Sequence, residues 1–264
     1  MQEKKRRIGI DRIFQTVFDF PKERVKRFLP AGIYVQDIKK WVNRVTSEPI
    51  SLEAYFTPEE QNHCGDRLER YVGRYAAKQA IGQILELDFS PLDISIGSFP
   101  SGQPRVNLSS DLKGKMRERE IVLSISHDKG LAIAMAIIVP AGNMARIGTD
   151  VASYERIFQA LQRHDDRFIK KQFTSQEALE AGGDIAKFTQ MWAGKEAVAK
   201  ALGTGLGREG VSWKDIEILT GEEEKKLVVL SGGAAEKAKT LNIQDWFLHY
   251  ERVDDTGLAF VLAC

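Results

Sequence analysis

The chain repeats itself, and a repeat limits the fold more than composition does, because each copy must close the same packing faces. "FTPEE" at Phe56 recurs as "FTSQE" at Phe173, and "RYAAKQAIGQIL" (74–85) recurs as "MWAGKEAVAKAL" (191–202). From Phe56 to Lys78 is 22 positions, and from Phe173 to Lys195 is again 22. Further on, "LDISIG" matches "KDIEIL", "RVNLSSDLKGK" matches "LVVLSGGAAEK", and "KGLAIAMAIIV" matches "TGLAFVLAC", with short insertions between them. Order and spacing agree as well as residue type, giving two copies of one unit of about 110 to 120 residues.

Each copy reads as a short strand, a capped turn, a long helix, two strands, a helix and a final strand pair. The fold class is therefore α+β, a pseudo-twofold tandem duplication of one α+β unit. Thr57 and Thr174 are each followed three residues on by a glutamate, Glu60 and Glu177, the pattern of a capping box. Phe188, Met191, Trp192, Val198 and Leu202 fall at three-and-four spacing and predict a helix from near Ile185 to Gly203 as its C-cap. The first unit is assigned to residues 49–141 and the second to 142–264, with "AIIVPAGNMARIG" (136–148) as connector. Residues 1–48 form an N-terminal extension without a counterpart at comparable spacing. "RIGID", ending at Asp11, echoes "RIGTD", ending at Asp150, but Asp11 lies 45 positions before Phe56 and Asp150 only 23 before Phe173. "GIYVQDI" competes as the first unit's opening strand.

Composition narrows the function classes. At 264 residues, 43% hydrophobic and 28% charged, the chain has the make-up of a globular protein. A net charge of +1 excludes a chain-wide nucleic-acid footprint, and the short basic run "EKKRRIG" has no interleaved aromatics. No apolar run approaches the roughly 18 residues that span a bilayer, and "MQEKKRRIGIDRIF" lacks the apolar stretch of a signal peptide, so a cytoplasmic protein is expected. Cys64 and Cys264 have no metal-ligand spacing and are read as thiols.

Where the copies differ, chemistry is expected. Gln79 and Gln83 of the first copy become Glu196 and Lys200 in the second, four apart and so on one helix face. Alone, such a pair is most often a surface ion pair worth a few tenths of a kcal/mol. Asp150 changes this, because it ends an apolar strand in the same copy and supplies a second carboxylate. Mg²⁺ takes one or two carboxylates together with waters and phosphate oxygens. The first copy offers donors instead: Ser126 and His127 in "SISHD", and a tight turn with Gly102 and Pro104 in "SFPSGQPRV", groups suited to a phosphorylated nucleotide. The second copy has "YERVDD" and "TGEEEKK" at those places, without the donors. One further segment, residues 156–171, carries five basic residues (Arg156, Arg163, Arg167, Lys170, Lys171) against two acidic ones on an expected helix beside Asp150.

"IGTD", "FTSQE" and "WAGKEAVAKALGTG" resemble the 4'-phosphopantetheinyl transferases, the second copy being most similar to the small holo-acyl-carrier-protein synthases. "SGQP" and "SISH" resemble the nucleotide-contacting motifs of the larger, surfactin-type members, whose single chain is a pseudo-dimer. The resemblance spans about residues 50 to 264. It implies transfer of the phosphopantetheine arm of coenzyme A to a serine of an apo carrier protein, with Mg²⁺, releasing 3',5'-ADP. It further implies Asp150 and Glu196 as metal ligands, Glu196 as base toward the carrier serine, and Lys200 as the group that stabilises or protonates the leaving phosphate. Ser126 and His127 would meet the nucleotide, with Gly102, Pro104, Arg105 and Lys195 also toward coenzyme A. The acidic carrier would dock on the basic residues of 156–171, and the enzyme would act as a monomer with one site.

Two departures stand out. Gln103 replaces the basic residue usual between Gly and Pro, with Arg105 as the substitute, and Ala152 replaces an acidic residue two after the strand aspartate. They leave open a non-catalytic carrier-protein or nucleotide binding module on the same repeat. Release of 3',5'-ADP from coenzyme A separates that reading from catalysis.

Overall fold

Thr57 and Thr174 open the two halves as their spacing predicts. In each, the threonine hydroxyl accepts the backbone N–H of the glutamate three residues on, and that glutamate accepts the threonine N–H in return. The computed structural model describes residues 31–38, 41, 51–85, 87–207 and 209–264, the side chains of 31 and 164–166 excepted. Asp11 and most of the 1–48 segment lie outside these residues.

In the first half the elements run β1 (Ala31–Asp37), α1 (Pro58–Cys64), α2 (Leu68–Ile84), β2 (Ile94–Ser98), β3 (Pro104–Leu108), α3 (Ser110–Met116), β4 (Arg119–Asp128) and β5 (Leu131–Pro140). In the second they run β6 (Arg146–Ser153), α4 (Tyr154–Gln172), α5 (Ser175–Ala181), α6 (Ile185–Leu202), β7 (Ile216–Thr220), β8 (Lys226–Leu230), α7 (Gly232–Thr240), β9 (Trp246–Val253) and β10 (Thr256–Ala263). Among the described residues the order recurs element for element, and Ile38 and Trp41, helical directly after β1, stand where α4 follows β6. The strand expected at "GIYVQDI" forms and pairs antiparallel with β5, as β6 pairs with β10.

The sheets are antiparallel: β1-β5-β4 in the first half, β6-β10-β9-β8-β7 in the second, with β2-β3 as a separate hairpin. One face of each main sheet is covered by its own long helix, α2 or α6. The other faces meet in a shared core, where Ile33, Met135 and Ile137 pack with Ile147, Phe247 and Phe260. Burying each such side chain contributes about 1.5–3 kcal/mol, so the halves are held together by apolar contact.

The register corrects one sequence match. The β4–β5 turn is Lys129–Gly130 and the β9–β10 turn is Asp254–Asp255, so Leu131 corresponds to Thr256 and the "KGLA"/"TGLA" match slips by two residues. Ser126 and His127 therefore stand where the second half has Glu251 and Arg252, and the second half keeps a basic residue at the strand end. Gly32 and Gly148 occupy the same place: a Cβ there would lie 1.9 Å from the Ala80 carbonyl oxygen in one half and 1.8 Å from that of Ala197 in the other. Only glycine lets strand and helix backbone approach so closely. Two residues on, Tyr34 sits opposite Ala134, as Asp150 sits opposite Ala259.

Candidate active site

Lys195 is the first sequence candidate to be removed. It is fully buried, its ammonium 2.6 Å from Glu177 and donating to the Gln172 and Trp213 carbonyls at 2.9 and 3.0 Å. All three protons are used, so nothing is left for a ligand. Lys78 does the same in the first half, 2.7 Å from Glu60 and donating to the Tyr55 and Pro91 carbonyls. Both glutamates are the capping-box residues, and each also accepts a strand N–H, from Ile96 or Ile218. The repeated lysine ties the cap, the long helix and the next strand together.

Glu196 and Lys200 have no such twin. They lie on α6 beyond Lys195, half-buried, and line a cleft of about 880 Å³ between the halves. The cleft opens because β3 and β4 are not paired, whereas their counterparts β8 and β9 meet at Lys226 and Leu248. Gly102, Pro104 and Arg105 line its β2–β3 side, Gly102 turning at φ +88° and Gln103 packing against Gly203, the α6 C-cap. Arg105 is exposed and bonds Asn107 at 2.8 Å. Thr204, 6% exposed, contributes to the cleft wall a buried hydroxyl that has no hydrogen-bond partner among the described residues.

Asp150 lies behind Lys200. Its Oδ1 accepts the Lys200 ammonium at 2.7 Å and the Ser126 hydroxyl at 2.8 Å, and Lys200 also donates to the Thr149 carbonyl at 3.0 Å. Burial and the Asp150 carboxylate push Glu196 above the ordinary carboxylate range, while Lys200 and Arg156 pull it back. Two carboxylates thus share one corner with one lysine, a concentration of negative charge a divalent cation would relieve. Among the described residues no third His, Cys, Asp or Glu joins them, in keeping with Ala152 on β6, which is fully buried.

The first-half donors are placed differently from expectation. The lining of the cleft takes in Arg119–Ile125 of β4, and Ser126 and His127 follow beyond it. Ser126 is buried and spends its proton on Asp150, which leaves it no donor for a phosphate; His127 is exposed. Sequence reading missed Ser124, whose hydroxyl accepts the Thr149 N–H at 2.9 Å, and Asp128, which accepts the Ser153 N–H at 3.1 Å. Their spacing of two around Ser126 was the available signal.

The basic segment forms α4, starting directly after β6. Arg163, Arg167, Lys170 and Lys171 are exposed, and Arg156 lies over the Trp192 ring at 5.7 Å and 3.9 Å from Asp128. No helix among the described residues is long and apolar enough to cross a membrane.

The family model of the 4'-phosphopantetheinyl transferase superfamily matches residues 146–259, the second-half part of the 50–264 span expected from the motifs, and does not extend over the first half. The holo-[acyl-carrier-protein] synthase of Dinoroseobacter shibae is 40% identical over 114 residues, covering 41% of this chain and 81% of that protein. That of Herpetosiphon aurantiacus is 35% identical over 120 residues, covering 44% and 94%. Among solved structures, Helicobacter pylori holo-[acyl-carrier-protein] synthase in complex with coenzyme A covers 45% of this chain and 99% of that one, at 27% identity and a TM-score of 0.41.

Proposed function

Because the chain belongs to the 4'-phosphopantetheinyl transferase superfamily, we propose that it moves the 4'-phosphopantetheine arm of coenzyme A onto a serine of an apo carrier protein, releasing 3',5'-ADP. The observation that carries this reading is the convergence of Asp150, Glu196 and Lys200 at the wall of the inter-half cleft. The serine oxygen forms a bond to the phosphorus that carries pantetheine, and the bond from that phosphorus to the bridging oxygen of 3',5'-ADP breaks. Glu196 takes the serine proton, directly or through a water, as a carboxylate within reach of the cleft. Lys200 has two of its three protons on Asp150 and Thr149, which leaves one for the departing phosphate.

The corner fits Mg²⁺: Asp150 Oδ1 is taken up by two donors, which leaves Oδ2, and Glu196 is an acceptor whose charge is poorly compensated. Bound there, Mg²⁺ supplies charge neutralisation at the pyrophosphate. The cleft fits a long polar co-substrate, with the Thr204 hydroxyl lacking a partner and Lys113, Arg105 and Arg119 along its wall. His127, exposed on β4 beyond the cleft lining, would meet the nucleotide from the first half. The carrier docks on α4, and one chain forms one complete site.

The test is a mass-spectrometric assay of apo carrier proteins with coenzyme A and Mg²⁺, reading the carrier's mass gain and 3',5'-ADP. Glu196→Gln should lower turnover by about 10²–10⁴-fold with the fold intact, since an amide neither takes the proton nor offers a charged oxygen. No mass gain on any carrier, with coenzyme A bound but unchanged, would instead leave a binding module.

A further inference from the structure

β4 and β6 run side by side where the halves meet, yet among the described residues no backbone ladder joins them. Side chains bridge them instead. Ser124, Ser126 and Asp128 project from the same face of β4 at spacing two. Ser124 Oγ accepts from Thr149 N at 2.9 Å, Ser126 Oγ donates to Asp150 Oδ1 at 2.8 Å, and Asp128 Oδ2 accepts from Ser153 N at 3.1 Å. The outer two bonds end on backbone. The middle one ends on the carboxylate proposed to hold the cation.

Asp150 Oδ1 has two donors of different character. Lys200 reaches it from the cleft wall with a side chain 31% exposed, and the proposed chemistry asks its ammonium to serve the leaving phosphate. Ser126 is 8% exposed, sits on a strand pinned at both flanking positions, and has no other task for its proton. With Lys200 shared between the carboxylate and the phosphate, Ser126 is the donor that serves Asp150 alone.

We infer that Ser126 is a positioning residue: its hydroxyl, supplied by the first half, fixes the Asp150 carboxylate of the second with Oδ2 presented to the cation, and holds it there while Lys200 serves the phosphate with its remaining proton. The inference rests on the reading of Asp150 as a cation ligand and reassigns Ser126 from the nucleotide to the metal corner. Loss of a group that orients a metal ligand costs about 10–100-fold in metal affinity.

The experiment uses the full chain with saturating coenzyme A and titrates Mn²⁺, read by electron paramagnetic resonance, alongside thermal unfolding. Ser126→Ala should weaken Mn²⁺ binding at least about 10-fold, and Ser126→Thr, which keeps the donor, should stay near wild type. Ser124→Ala removes a neighbouring bond of the same seam; it should lower thermal stability but change Mn²⁺ affinity less than about 3-fold. If Ser126→Ala does not fold, Ser126→Cys, whose thiol donates weakly, carries the same expectation. Wild-type Mn²⁺ affinity in the donor-deficient variant would overturn the inference, as would equal weakening by Ser124→Ala. Failure of the wild-type protein to bind Mn²⁺ at all would overturn the cation assignment itself, and this inference with it.

Discussion

Lys195→Met should damage stability and spare the chemistry. The ammonium is fully buried against a fully buried Glu177 at 2.6 Å, and methionine keeps most of the side-chain volume while deleting the charge. What remains is a carboxylate without its cation and two carbonyls, of Gln172 and Trp213, without their donor. Breaking a buried pair by removing one partner costs about 3–5 kcal/mol. Against a total of about 5–15 kcal/mol the variant still folds, and at about 2–4 °C per kcal/mol for a chain near this size Tm falls by about 10 °C. The pH dependence follows from burial, which already pushes the Glu177 carboxyl up. Without Lys195 the native state holds a proton there that the unfolded chain releases above about pH 4.3, so stability falls as pH rises and the deficit against wild type narrows below about pH 5. Circular-dichroism melts across pH 4.5–8 and the KM for coenzyme A on folded protein are the assays (the pH range set by the carboxylate reference value of about 4.3). Lys78→Met should reproduce the loss of Tm. A variant with wild-type Tm and a raised KM for coenzyme A would refute this account and return Lys195 to the ligand.

Gly148→Ala drives a Cβ to within 1.8 Å of the Ala197 oxygen and should cost about 1–3 kcal/mol with a disproportionate fall in turnover, since Asp150 and Glu196 flank the contact; Gly32→Ala, its twin at 1.9 Å, should cost the same stability and leave turnover alone. Kinetics and melts of the two variants together decide this. Charge reversal at Arg163 and Lys170 on α4 should raise the apparent KM for an acidic carrier steeply while leaving that for coenzyme A unchanged, and equal effects on both would reject docking there. Calorimetry should give one coenzyme A per chain, and Gln79→Glu should add no second site; a stoichiometry of two equivalent sites, or activity lost on dilution, would count against a competent monomer.

Much of the scaffold was legible because it rests on local rules. The capping boxes at Thr57 and Thr174 and the α6 stop at Gly203 follow from residue type and short spacing. The pair Glu196 and Lys200 was legible for the same reason. Lys195 was misread because a lysine beside a reactive glutamate looks exposed in one dimension; that it points inward depends on Glu177, 18 positions earlier, and its twin Lys78 was the signal that it is structural. The bond from Ser126 to Asp150 was not legible for a different reason. Asp150 belongs to the other half, and which strands meet across the seam is fixed by burial of Ile33, Ile147, Phe247 and Phe260, not by any local pattern. The two-residue slip in the final hairpin arose because turn residues, Lys129–Gly130 against Asp254–Asp255, differ more than the strands they join.

The two halves together separate what the fold needs from what the reaction needs. Features present in both, the buried Glu–Lys pairs and the glycines pressed against a helix carbonyl, hold strand, cap and helix together. Features present in one are dispensable to the fold, since the other copy folds without them: Tyr34 stands at the register position of Asp150, edge-on to Tyr75 at 6.2 Å, and Gln79 and Gln83 stand for Glu196 and Lys200. A second corner of the proposed kind would need a carboxylate at both places, and neither is there. The first half is nevertheless no passive remnant. Its β3 lies beside β4 without pairing to it, at the wall of the cleft, and its Ser126 reaches across the seam to Asp150. Neither half alone holds every group of the proposed site, since Ser126 comes from one and Asp150, Glu196 and Lys200 from the other.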